Sequence, residues 1–134
     1  MTGQTPPRTA ALTATVRVHI LYAPSPNAEP YPDIEAAATR QGVVFALPPH
    51  KGDIFIPGQL SQALLEAGLT PVVDHIAHGP AMPPDDEDAE AVVVVTCSSR
   101  DVPSDDLLAQ LRAEGWNVHD FRDKAQRRRD GKTF

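Results

Sequence analysis

A single cysteine, few aromatic residues and no long apolar run mark this 134-residue chain, and each shortage removes a class of answer. One cysteine allows no internal disulfide, so a reducing compartment is expected. No stretch nears the ~20 apolar residues that span a bilayer. Residues 1–11 hold Thr, Gln and two prolines where a signal peptide would hold an apolar core. A cytoplasmic, soluble protein with no membrane role is the expectation. Aromatics are only 5%, and much of the 41% apolar content is alanine, so the core must be built from small side chains. Neither the Walker nor the dinucleotide glycine spacing occurs, so no phosphate-cradling loop is read and no cofactor is assigned.

What is present is clearest at residues 91–121. Ala91-Val92-Val93-Val94-Val95-Thr96 is an unbroken, mostly β-branched run, which reads as a strand buried on both faces. Val102-Pro103-Ser104-Asp105-Asp106 reads as a helix start, with polar and acidic residues suited to free N–H groups and to the dipole. Leu107, Leu108 and Leu111 form its apolar stripe, Gly115 its left-handed stop, and residues 116–121 a returning strand. A strand–helix–strand unit implies a crossover and a parallel sheet. Residues 12–22 alternate cleanly, predicting a strand covered on one face and lying near a sheet edge. Prolines 24, 26, 30 and 32 then break regular structure. Residues 33–41 read as a short alanine-rich helix closed by Gly42, and 43–47 as a buried strand. Residues 53–56 are an uncertain strand, 58–67 a helix, and 71–76 a strand.

Strands alternating with helices of about ten residues point to an α/β fold. The expected architecture is a three-layer Rossmann-like or flavodoxin-like sandwich with a mostly parallel sheet of about five strands. A ferredoxin-like α+β core with an added strand–helix–strand is the alternative. One domain is expected over residues 12–121, with a flexible N-terminus at 1–11 and a basic C-terminal tail at 122–134.

A parallel sheet would gather the loops at the carboxyl ends of its strands: residues 23–31, 48–51, 75–79 and 96–101. The last is the best ligand candidate. Thr96, Ser98 and Ser99 offer hydroxyls, Arg100 a cation, and the helix start its amides, which suit a phosphate or carboxylate. Asp101, Asp105 and Asp106 crowd the same place and oppose an anion, so an ordinary capped helix is the competing reading. Cys97 reads as a nucleophile activated by the helix terminus or as a packed small residue. His75 is a further ligand candidate. His75 and His78, with Cys97 or His119, have metal-ligand chemistry but no rigid helical spacing; exposed strand-end histidines are the simpler reading, and no metal is assigned.

Charge is polarised. Residues 122–134 carry six basic and two acidic residues, a net of +4, leaving −10 on the remainder of a chain whose total is −6. Five of the acids fall in Asp85-Asp86-Glu87-Asp88 and Glu90. The acidic body is a poor general nucleic-acid binder. Lys124, Arg127, Arg128 and Arg129 could instead contact phosphate backbones, pair with the acidic segment or a partner's, or simply be solvated.

Two partial resemblances accompany this reading. Residues 92–121, with Asp101-Val102-Pro103 and Leu107-Leu108, resemble the later strand–helix–strand of NYN/PIN-type nucleases. Those nucleases close their first strand with an Asp, and Tyr22-Ala23-Pro24 stands there. Residues 18–23 resemble the opening of TIR-type domains, but the catalytic Glu of the NAD-cleaving members has no matched position. Each covers about a quarter of the chain, and neither family is assigned. The expected function is a small interaction or regulatory module, with a protein partner or a second copy. The alternatives are a phosphate-ligand or nucleotide-processing enzyme using residues 96–101, and nucleic-acid binding through the tail.

Overall fold

Alternating apolar and polar residues produce the extended strand β1 (Leu12–Tyr22). Its Ala14, Val16, Val18 and Ile20 are fully buried, while Thr15, Arg17 and His19 stay half exposed. The computed structural model describes residues 12–25, 27, 29, 31, 33–46, 49–55, 60–77 and 91–131. After β1 come β2 (Ile34–Phe45), α1 (Gln62–Glu66), β3 (Val72–Ala77), β4 (Ala91–Ser99), α2 (Asp105–Ala113), β5 (Asn117–Asp120) and α3 (Arg122–Arg129). These five strands form one sheet in the order β3-β4-β1-β2-β5. The expectations for residues 1–11, His78 and the acidic segment 85–90 fall outside the described residues.

The mostly parallel Rossmann-like sandwich is overturned. Only β1 and β4 are parallel neighbours; β1–β2, β2–β5 and β3–β4 are antiparallel. The element order ββαββαβα also departs from the ferredoxin-like βαββαβ. The largest correction is residues 33–41, read as a helix and found as the first part of β2. Alanine has the highest helix propensity, but that preference is a few tenths of a kcal/mol per residue and pairing overrides it. Ala36, Ala37 and Ala38, each 1% exposed, lie between β1 and β5. Gly42, read as a helix stop at φ 70°, instead serves a bulge: Ala14 pairs with Val43 and Val16 with Arg40, so β2 carries one extra residue.

β1 is the central strand and not near an edge. Alternation reports that one face is covered; it says nothing of lateral position when the sheet is antiparallel and open on one side. The covered face is packed by α1 and α2. Leu64, Leu107, Leu108, Leu111 and Trp116 meet the inward valines of β1 and β4, together with Ile20, Ala36 and Ala38. The capped start of α2 follows the sequence reading. Ser104 Oγ accepts from Leu107 N at 3.1 Å, and Gly115 takes φ 97° at the far end. α1 is held by α2's C-cap. Glu114 accepts from Ser61 Oγ at 2.6 Å and from Ala63 N at 2.8 Å. β4 and β5 run the same way, so the strand–helix–strand unit exists, but β1 and β2 lie between its two strands.

Candidate anion-binding face

Among the described residues only α3 lies over the second sheet face, and the strand register decides what that face presents. One row across the sheet holds His75, Val94, Arg17, Thr39 and Asn117; the next holds Thr96, His19, Ala37 and His119. Two bulges arrange its margins. On β3, Val73 pairs with Val95 and His75 with Val94, which leaves Asp74 as the extra residue beside His75, its Oδ2 2.6 Å from Nδ1. On β2, Ile20 pairs with Ala36 and Leu21 with Ile34, which leaves Glu35 extra and fully buried.

Glu35 anchors α3. Its Oε2 accepts from Arg129 Nη1, its Oε1 has no hydrogen-bond partner, and its carbonyl accepts from Phe121 N at 2.9 Å. The Arg129 guanidinium lies 4.9 Å from the Tyr22 ring centroid and 5.5 Å from that of Tyr31, and the two rings stack. Arg122 ties the start of α3 to β5 through Asp120, and to the start of α2 through Asp105 and the Pro103 carbonyl. The Arg122 hydrogen bonds hold the Asp120 carboxyl below its usual range. The residues read as a tail therefore form, over 122–129, a helix docked through Arg122, Arg128 and Arg129.

Between α3 and the open sheet face lies a groove of about 210 Å³. Arg17 from β1 and Lys124 and Arg128 from α3 line it with Asp33, over a floor of Ile34, Ala125 and Phe121. Asp33 pairs with Arg128 at 2.9 Å; Arg17 and Lys124 make no ion pair among the described residues. Arg17 Nε donates to His19 Nε2 at 2.7 Å, so that imidazole nitrogen must be unprotonated. Burial lowers the His19 pKa most, followed by Arg17; Asp74 opposes and His75 adds. His119 stacks on Phe121, with ring centroids 6.3 Å apart. Of the four tail cations singled out from the sequence, Lys124, Arg127 and Arg128 are exposed and Arg129 is turned inward. Arg17 was missed: in an alternating strand it read only as the wet face, and nothing local placed α3 over it.

The four loops expected at one rim do not converge. Residues 23 and 99 do meet, Ala23 N donating to Ser99 O at 2.8 Å. β2 and β3 run the other way, so their carboxyl ends lie at the opposite rim. His75 lies within β3 beside Val94 and does not line the cavity of the 96–101 segment. Thr96, Ser98, Ser99 and Arg100 do line one cavity, of about 510 Å³, shared with the turn from α1 into β3. The start of α2 does not line it; its amides are met by Ser104, and Asp105 is bonded to Arg122. Cys97 is fully buried among the helix-facing residues, its thiol pushed up to about 12 by desolvation, which fits the packed reading. His75 and His119 sit on opposite edge strands, four strand spacings or about 19 Å apart, too far to share a metal. Among the described residues no three His, Cys, Asp or Glu side chains could hold one. No described helix is long and apolar enough to cross a membrane. No family model, no curated protein and no solved structure matches the chain, so its own geometry must carry the functional argument.

Proposed function

We propose that this chain is a binding module whose open sheet face and α3 take a phosphate backbone, with single-stranded nucleic acid as the ligand class. The observation that carries the reading is the groove in which Arg17, Lys124 and Arg128 surround an apolar floor ending in Phe121. Two of those cations have no carboxylate partner among the described residues, and the third shares one. Guanidinium and ammonium groups attract phosphate oxygens, and the His119–Phe121 pair offers a face on which a base can stack. A sheet face with an adjacent helix suits an extended strand better than a duplex groove. The net charge of −6 confines attraction to this patch, so affinity should be modest and steep in salt.

The test is fluorescence anisotropy with a labelled oligothymidylate and a matched duplex over a range of salt. Arg17→Ala and Lys124→Ala should each weaken single-strand binding several-fold. Each should also lower the slope of log affinity against log salt by about 0.7. Binding that both variants retain at wild-type strength, or that salt does not touch, would overturn the proposal. A protein partner or second copy is the second reading. Val44 and Ile54, at 64% and 65% exposure, favour it. Pairing of the basic segment with the acidic one is less favoured, since Asp33 and Glu35 already occupy Arg128 and Arg129.

A further inference from the structure

The cavity at the end of β4 is built differently from the basic groove. Its volume of about 510 Å³ falls within the range of roughly 300–1,000 Å³ typical of small-ligand sites. Two opposite charges stand side by side on its wall, Arg100 and Asp101, both exposed. Neither side chain has an ion-pair or hydrogen-bond partner among the described residues, although they are neighbours in sequence. The hydroxyls of Thr70, Thr96 and Ser98 also line the space and have no partner among the described residues. Ser99 is already committed: its Oγ bonds the backbone of Asp101 as donor and acceptor, which holds the turn carrying both charges. Leu69 and Val72 add an apolar wall.

We infer that this cavity binds a small zwitterion of the α-amino-acid class. Arg100 takes the ligand carboxylate, Asp101 takes the ammonium, and the threonine and serine hydroxyls complete their hydrogen bonds. A lone anion satisfies Arg100 but meets the Asp101 carboxylate, and a lone cation meets the reverse. The apolar wall accepts an aliphatic side chain. This inference goes beyond the polyanion reading and shares no residue with the basic groove.

Isothermal titration calorimetry on the full chain tests it, using the twenty L-amino acids, inorganic phosphate and ethanolamine as probes. At least one amino acid should bind, and at least about tenfold more tightly than phosphate or ethanolamine. Arg100→Gln and Asp101→Asn, both at exposed positions, should keep the unliganded melting temperature. Each should lose about tenfold or more in amino-acid affinity. Lys124→Ala should leave that affinity unchanged while weakening oligonucleotide binding. Phosphate binding as well as any amino acid, no heat from any of the twenty, or wild-type affinity in both variants would each overturn the inference.

Discussion

At the level of single residues, burial and neighbours decide which groups are chemically available. Cys97 follows the valine run within β4 and was readable from sequence as a nucleophile or as filling; its burial decides for filling. Native protein at pH 8 should therefore leave an aromatic disulfide reagent unreacted, and urea-unfolded protein should consume one equivalent. Prompt reaction of the native thiol would contradict the packing. His19 gives a pH dependence with a definite sign. Its native pKa lies below the unfolded value, so as pH falls through about 6.5 the unfolded chain takes up the proton first. Stability should drop there and level off once pH is below the native value. Urea titrations from pH 7.5 to 5 should show this step in the wild type and a smaller one in His19→Gln. A phosphate beside Arg17 and His19 reverses the bias, so oligonucleotide affinity should rise as pH falls across the same window. The His19 shift was not legible beforehand, because its burial and its neighbours Asp74 and His75 on β3 come from packing with distant sequence, and only Arg17 is local.

At the level of elements, helix ends and strand bulges hold the parts in register. Glu114 closes α2 and clamps the first turn of α1, and Arg40 Nη2 donates to its carbonyl. Glu114→Ala should cost about 1–3 kcal/mol, read by chemical denaturation, with Ser61→Ala costing about 1 kcal/mol. Gly115→Ala should cost about 1 kcal/mol or more, since φ is 97° and a Cβ would stand 3.2 Å from Arg40 Nη2. The Glu35–Arg129 pair is the stronger test of how α3 is held. Glu35→Ala leaves a nearly buried guanidinium without its carboxylate and should cost about 3–5 kcal/mol. Faster amide exchange in α3 than in α2 would identify the loss as undocking. Adding Arg129→Leu should recover part of the cost. The strand positions and the start and stop of α2 were legible, because valine runs, Ser-Asp caps and a Gly stop are local signals. β2 was not: its alanines say helix, and only flanking strands make them extended.

At the level of the whole molecule, four of the five strands could be located from sequence, but their directions could not. Direction depends on which strands become neighbours, and nothing within residues 34–45 says that β2 returns beside β1. That reversal also dispersed the expected ring of loops, while leaving the 96–101 cavity intact at one rim and building the basic groove by a helix no loop argument anticipated. The topology makes a prediction of its own. β1 is the middle strand, yet one of its two partners is β4, far along the chain. A fragment ending at residue 77 should give a collapsed amide spectrum with poor dispersion, and adding residues 91–134 in trans should restore it. A well-dispersed fragment spectrum would show that the β1–β2 hairpin is enough. On the ribosome the same arrangement imposes a wait. The hairpin is complete at Phe45 and Ala14 pairs with Ala91, so at about 5–20 residues per second the nascent hairpin stands for roughly 2–9 s with one flank of its middle strand bare. In that interval the exposed ladder invites chaperones or stray nascent chains, which makes translation pace a determinant of yield.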